Sequence, residues 1–340
     1  MSTLTHRVRK LVQGVQRKFI QEVQFECDVF WSQIITRTQK ADLAIFHEFA
    51  PPPTGGGHQF LRAFWRAAEA GGLKVENNSI SRTTRACLMN SFNFDERRLR
   101  RLHRNSVLYV HRVDGPIDTY RGRNDGVDRN IWRVNREMAD KSIFQSQYSL
   151  EKHLQLGLEF KNPVVILNAV DAEIFNPHGR LAFSRERKIR LIASSWSDNI
   201  NKGAPVYQWL DEHLDWERYE FTFVGRSPIQ FQNIRMIPPV GSQQMAELFR
   251  QHDIYLAASK NDPCSNSLIE ALSCGMPAIF LQSGGHPEIV QEAGFGFREA
   301  DEIPALAGRL VDEYELRQGK IAIPSLREVC AKYLTILELC

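Results

Sequence analysis

Residues Asn261–Val290, NDPCSNSLIEALSCGMPAIFLQSGGHPEIV, decide how this 340-residue chain is read. Asn261, Asp262 and Pro263 interrupt the apolar run before them, since proline lacks an N–H and biases its predecessor away from helix. Ser265, Asn266 and Ser267 then offer helix caps, and Leu268, Ile269, Ala271 and Leu272 give a helix that is apolar on two sides. Free backbone N–H groups from Ser265 to Leu268, together with the helix dipole, predict an anion site suited to a pyrophosphate. Asp262 precedes this N-terminus, and Glu270 lies little more than a turn inside, its side chain tilted back toward the same end. Two acceptor groups would thus flank the phosphates and take hydroxyls of a sugar on one side and of a ribose on the other. A plainer reading also fits: Ser267 and Glu270 match the S-x-x-E capping box, and Asp262 before proline is an ordinary turn residue.

The segment continues through a second apolar run, PAIFLQ, into Gly284, Gly285 and Glu288. Taken together, Asp262, Glu270, Ala271, Cys274, Gly275, Pro277, Gly284, Gly285 and Glu288 resemble the signature of retaining glycosyltransferases of the GT-B fold, specifically glycosyltransferase family 4. That signature has a glutamate, seven residues, a second glutamate, an alanine-rich helix, a Cys-Gly-x-Pro turn, a strand and a Gly-Gly loop. Here the first acid is aspartate, one methylene shorter. The run NAVDAEIFNP (168–177) looks like the family's interdomain junction, with Ala169 in place of glycine, and the likeness covers roughly residues 41–297.

Length allows two core-bearing domains. A hydrophobic content of 43% with 24% charged residues is that of a globular protein, and a net charge of +3 is too small to imply a nucleic-acid partner. No apolar run approaches the eighteen or so residues that span a bilayer, and no signal-peptide pattern opens the chain, so a cytoplasmic location is expected. Six scattered cysteines without a C-x-x-C pair argue against a disulfide scaffold or a zinc site and read as buried thiols.

From about Asp42 apolar strand patterns alternate with helical ones: DLAIFHE, GHQFLRAFWRAAEAGG, SVLYVHRV, VDRNIWRVNREMAD, KSIFQSQ, YSLEKHLQLG and PVVILNA. A second series runs from KIRLIAS through KGAPVYQWLDEHL, YEFTFVG, QQMAELFRQH, DIYLAAS and the signature helix to PAIFLQ. The alternation predicts an α/β protein of GT-B type, two Rossmann-like doubly wound domains facing a cleft. The expected division is a helical extension over 1–40, an N-terminal acceptor domain over 41–175 and a C-terminal donor domain over 176–323. As in the family it resembles, a last helix within 324–340 would pack back on the first domain. Residues 1–24 carry Leu4, Val8, Leu11, Val15, Phe19 and Val23 at helical spacing, with Arg7, Arg9, Lys10, Arg17 and Lys18 against Glu22 alone. That pattern suits peripheral contact with an anionic membrane surface or a helix packed on its own domain. The tract RRLRRLHR (97–104) reads as a helix docked through Leu99 and Leu102, or as a contact for anionic groups.

Further candidates surround the signature. Gly55, Gly56 and Gly57, after the first strand, would let backbone approach a ligand closely; the resemblance makes this an acceptor or phosphate loop. Lys202 and Gly203 open the first helix of the second domain, where Lys202 would place an ammonium against the diphosphate. The family's companion arginine is absent from SSWSDN (194–199), leaving Arg226 as a substitute that reads equally as a surface residue. His111, taken to end the strand SVLYV, would point at the cleft; the resemblance sets a histidine near the transferred sugar, and Asp114 is an acceptor-site candidate. H-E-x-x-H, G-x-S-x-G, the P-loop and the EF-hand are missing, as is the D-x-D by which other sugar transferases hold manganese. The expected chemistry is therefore metal-independent transfer from a nucleoside-diphosphate sugar, with no cofactor, to a glycan or lipid-linked acceptor. Catalysis would fall to His111, Asp262 and Lys202, and donor binding to Lys202, Gly203, Asp262, Ser265, Asn266, Ser267, Leu268, Glu270 and Arg226. The missing arginine and short acid also motivate another reading, a GT-B protein that binds a nucleotide sugar or glycan without transferring it.

Overall fold

The computed structural model describes residues 20–30, 40–51 and 56–340. A helix over 20–30 (α1) precedes a six-stranded parallel sheet built from β1 (Leu43–Phe46), β2 (Val75–Asn77), β3 (Ala86–Asn90), β4 (Leu108–Val113), β5 (Lys141–Phe144) and β6 (Pro163–Val165), in the order β2-β1-β3-β4-β5-β6. Crossover helices are α2 (Gly56–Ala70), α3 (Glu96–Leu102), α4 (Ile117–Arg121), α5 (Val127–Met138) and α6 (Gln147–Gln155). β1 and β3 are buried along their whole length, as strands covered on both faces must be.

A second six-stranded parallel sheet follows: β7 (Ile189–Ser195), β8 (Tyr219–Gly225), β9 (Arg235–Ile237), β10 (Ile254–Ala257), β11 (Ala278–Leu281) and β12 (Gly294–Phe297), in the order β12-β11-β10-β7-β8-β9. Its helices are α7 (Ala204–His213), α8 (Ser242–Gln251), α9 (Asn266–Ser273), α10 (His286–Val290), α11 (Ile303–Asp312) and α12 (Tyr314–Gln318). In each sheet the strand order reverses once, between β1 and β3 and between β7 and β10. Loops leaving the carboxyl ends at such a point diverge and open a crevice.

The last helix, α13 (Leu326–Ile336), starts with a complete capping box between Ser325 and Glu328 and returns to the first sheet. Tyr333, fully buried, packs against Phe60 and Phe64 of α2 with ring centroids 5.4 and 5.3 Å away. Three of the four arginines of α3 meet carboxylates and the fourth, Arg98, donates to the Asn78 carbonyl, while Leu99 and Leu102 are buried beneath them. Arg97 pairs with Glu22 and Arg101 with Glu26, both on α1, and Arg100 pairs with Glu96 and Glu137. Three arginines of the tract are thus paired within their own domain, while Arg98 and Arg104 donate to backbone carbonyls there. Of the pattern expected over residues 1–24, residues 1–19 lie outside the described residues. Among the described residues no helix is long and apolar enough to cross a membrane. Four cysteines are buried, but Cys27 and Cys340 are exposed, which corrects the reading of all six as buried.

Candidate functional site

The signature helix is α9. Its N-cap is Ser265, no side chain caps it, and Ser265, Asn266 and Ser267 line a cavity of about 270 Å³ between the two sheets. Asp114, Tyr120, Gln145, Trp196, Lys202, Asp262 and Glu270 line the same space, and Gly57 and Gln59 bring the start of α2 to its rim. A second cavity of about 140 Å³ shares Gln59, Asn266 and Glu270 and extends past the interdomain linker to Val240 and Gly241 before α8 and Ser242 at its start.

Glu270 does not make a capping box. Because α9 starts at Asn266, Ser267 is already its second helical residue, and Ser267 Oγ instead accepts from the Tyr255 hydroxyl at 2.9 Å. The Glu270 side chain reaches both cavities while only 6% of the residue is exposed. Burial alone pushes its pKa up to about 8. A carboxyl group left in that state awaits a partner that the described residues do not supply.

Asp262 leaves the loop after β10, and Lys202 closes the short 3-10 turn Ile200–Lys202 after β7, so the switch point of the second sheet brings them together. Lys202 Nζ lies 2.9 Å from Asp262 Oδ2 and 4.7 Å from the centre of the Tyr120 ring. Burial opposes both charges, yet the pair outweighs it: the Asp262 pKa is lowered and that of Lys202 raised. Asp262 Oδ2 also accepts from Ser259 Oγ at 3.2 Å, and Oδ1 accepts from the Cys264 N–H at 3.3 Å. Two glycines allow this approach. Gly203 (φ +93°) passes Ala258 where an added Cβ would fall 2.6 Å from the alanine methyl, and at Gly284 (φ +66°) a Cβ would overlap the Asp262 carbonyl.

Asp114 faces the cavity and accepts from Arg112 at 2.7 Å. Two catalytic or binding candidates do not reach it. β4 runs two residues past His111 to Val113, so His111 is interior to the strand, fully buried, donating from Nε2 to the Ser91 carbonyl at 2.8 Å. Burial lowers its pKa to about 4. The expectation of a cleft-facing His111 is corrected; it is a histidine satisfied within its domain. Arg226 is exposed just beyond β8, its N–H on the Ser195 carbonyl, and lines neither cavity. Where the companion arginine was sought, Trp196 lines the cavity, and Lys202 is the one cation among the described residues of that wall. Gly57 is at the rim, Gly56 begins α2, and Gly55 lies outside the described residues.

Several residues join the halves; Glu288 and Asn168 belong to the motifs read from the sequence, whereas Tyr120, Asn199 and Asn201 carried no signal there. The Tyr120 carbonyl accepts from Asn199 Nδ2 at 3.3 Å and Asn201 Nδ2 at 3.0 Å, tying α4 to the turn that holds Lys202. Glu288 accepts from the Gln147 and Tyr148 N–H groups, both at 2.7 Å, and so caps α6 of the first sheet from α10 of the second. Asn168 donates to Asn266 at 2.9 Å and accepts from the fully buried Arg112 at 3.0 Å. Asparagines and a tyrosine in loops look alike in sequence whether they face solvent or a partner domain. Only Gly122, which ends α4 in the left-handed region, marks the place.

Two doubly wound parallel sheets facing one cleft, with the final helix returned to the first sheet, make this a protein of the GT-B fold. Residues 206–315, which include Asp262 and Glu270, match the family model described as Glycosyl transferases group 1. Among curated proteins, D-inositol 3-phosphate glycosyltransferase of Streptomyces avermitilis is 31% identical over 81 residues, 24% of this chain and 18% of that one. A probable sucrose-phosphate synthase of Thermosipho melanesiensis is 22% identical over 213 residues, 56% of this chain. The match thus spans about half (48%) of the synthase and under a fifth (18%) of the inositol phosphate enzyme. Among solved structures, sucrose-phosphate synthase from Thermosynechococcus elongatus superimposes with a TM-score of 0.65 at 14% identity, over 88% of this chain and 97% of that one. HepE of Anabaena, solved with UDP-glucose, gives 0.60 at 13% identity over 87% and 97%. The resemblance to GT-B glycosyltransferases read from the motif is borne out.

Proposed function

We propose that the protein is a retaining glycosyltransferase of family 4 type that moves a sugar from a nucleoside-diphosphate sugar to a glycan or lipid-linked acceptor, without a metal or cofactor. The observation that carries this reading is the shared cavity of Glu270, Lys202, Asp262 and the uncapped start of α9. A diphosphate there would meet Lys202 and the N–H groups of the first turn of α9, which stabilise the charge that grows as the leaving group departs. Asp262 orients hydroxyls of the transferred sugar, and Glu270 takes the ribose. The second cavity, walled by Val240 and Gly241 next to Glu270, has room for the base. The acceptor hydroxyl attacks from the side of Asp114, on the face the diphosphate leaves. Relatives named for glycosyl transfer and a neighbour solved with UDP-glucose support this reading. We place the reaction in the cytoplasm, at the inner membrane face if residues 1–24 bind anionic lipid.

Thermal unfolding against UDP, GDP, ADP, CMP and nucleotide sugars tests it. A ligand at a hundred times its Kd adds about 2.7 kcal/mol, so one nucleoside diphosphate should raise the Tm selectively. No shift with any of them refutes the reading. Stabilisation without release of nucleoside diphosphate over a panel of acceptors would favour a binding protein instead, the alternative motivated by the short acid at 262 and the single wall cation.

A further inference from the structure

The first sheet has a switch point of its own, and the groups at it are joined in a chain of hydrogen bonds whose direction can be worked out. Asn90 ends β3 and His47 follows β1. Arg112, which can only donate, gives a hydrogen bond to Asn90 Oδ1 at 2.7 Å. The Asn90 amide is thereby oriented with Nδ2 toward His47 Nδ1, 3.1 Å away, and Asn93 Nδ2 approaches the same ring nitrogen at 3.3 Å. His47 Nδ1 therefore accepts, its proton sits on Nε2, and Nε2–H donates to His58 Nδ1 at 2.9 Å. The Ala50 N–H also points at His58 Nδ1, at 3.4 Å, so this nitrogen is an acceptor on two counts. Neutral His58 must carry its proton on Nε2. That nitrogen has no hydrogen-bond partner among the described residues, and His58 as a whole is half-buried. His58 stands on the first turn of α2 between Gly57 and Gln59, both cleft-lining, and close enough to feel the charge of Asp114.

Resting on the transferase reading, we propose that His58 is an acceptor-binding residue: its Nε2–H donates to a hydroxyl oxygen of the acceptor at the switch point of the first sheet. Arg112, Asn90 and His47 are positioning residues that fix its tautomer. Burial keeps His47 and His58 neutral by lowering both pKa values, so the donor persists through neutral pH.

Ring-nitrogen NMR of the full chain labelled in histidine, with His47→Gln and His58→Gln to assign signals, reads the tautomer without any ligand. Both rings should be neutral with the proton on Nε2 at neutral pH; a proton on His58 Nδ1, or a charged His58, overturns the proposal. Kinetics on UDP-glucose, GDP-mannose and ADP-glucose, with D-glucose and D-inositol 3-phosphate as acceptor probes, then read the role. For whichever probe pair turns over, His58→Ala should raise the acceptor KM roughly tenfold. Donor KM and donor hydrolysis by water should stay within twofold, and His58→Gln should recover part of the acceptor affinity. An unchanged acceptor KM in His58→Ala refutes the assignment while leaving the transferase reading intact. A wild-type chain that binds none of the three nucleotide sugars removes that reading, and with it the acceptor role, whatever the tautomer.

Discussion

Replacing Glu270 by glutamine removes one charge from a site where that charge is expensive in the absence of ligand and useful in its presence, and the two effects have opposite signs. The Glu270 pKa is raised from its ordinary 4.5 to about 8 by burial. A carboxyl group whose folded pKa is raised stabilises the native state fully below its unfolded pKa and loses that contribution as pH rises through the folded value. At about 1.4 kcal/mol per pH unit, the window between pH 4.5 and 8 corresponds to an upper bound on the order of 5 kcal/mol. Glutamine mimics the neutral acid, so Glu270→Gln should lose none of it: with ligand absent, the variant's advantage in denaturant midpoint should grow from acid toward pH 8. With ligand present the sign reverses. If ribose hydroxyls donate to the ionised carboxylate, its loss costs about 1.5–3 kcal/mol, a roughly ten- to 150-fold weaker nucleoside diphosphate. Titration calorimetry with the nucleoside diphosphate and with inorganic pyrophosphate separates the contributions, because pyrophosphate has no ribose and should bind both proteins alike. Equal weakening of the two ligands, or identical pH profiles of stability for wild type and variant, would refute the placement of Glu270.

Lys202→Ala should weaken pyrophosphate and nucleoside diphosphate together and leave Asp262 buried without its partner, at a cost of about 3 kcal/mol in denaturant unfolding. In the wild type the lowered Asp262 pKa contributes stability above its unfolded value that disappears as pH falls through the folded one; in Lys202→Ala that acid-side loss should vanish. Glu288→Ala deprives two N–H groups of α6 of their acceptor, so stability should fall by about 1–2 kcal/mol and hydrogen exchange at Gln147 and Tyr148 should accelerate; unchanged exchange would sever this contact between the halves. His111→Ala should cost about 2 kcal/mol yet leave nucleotide affinity within twofold, whereas loss of transfer activity in a folded variant would return His111 to the cleft.

The regular parts of the fold were legible because β1, β4, β5, β7, β8, β10 and β11 are apolar runs bounded by breakers, a signal that survives in a single sequence. Missing were β2, β9 and β12, of three or four residues, and β3, whose five residues ACLMN are central to its sheet. β3 takes its identity from β1 and β4 on either side, whereas β2, β9 and β12 are edge strands, each paired with a single neighbour. In the site, Asp262, Glu270, Lys202 and the start of α9 were legible because each depends on a local event, a breaker or a helix terminus. His111 failed for a different reason: the expectation rested on where a strand stops. Two further residues of β4 turn a cleft residue into a core one. The contact of Tyr120 with Asn199 and Asn201 depends on how two domains meet, which no local pattern encodes.

The aspartate at 262, a methylene shorter than the glutamate of the related motif, can be understood from its neighbours. Oδ2 already receives Lys202 and Ser259, and Oδ1 receives only a long bond from the Cys264 N–H. One lone-pair direction of Oδ1 therefore remains for a sugar hydroxyl. Lys202 has three N–H donors, of which Asp262 takes one while the Tyr120 ring shields one flank. The remaining donors can receive phosphate oxygens without breaking the ion pair. Charge compensation thus exists before any ligand arrives, which lets the cleft stay narrow without leaving an unpaired buried ion. The one cation of this wall is thus already paired with the aspartate, and it is the donors left over on Lys202 that the proposed diphosphate would use.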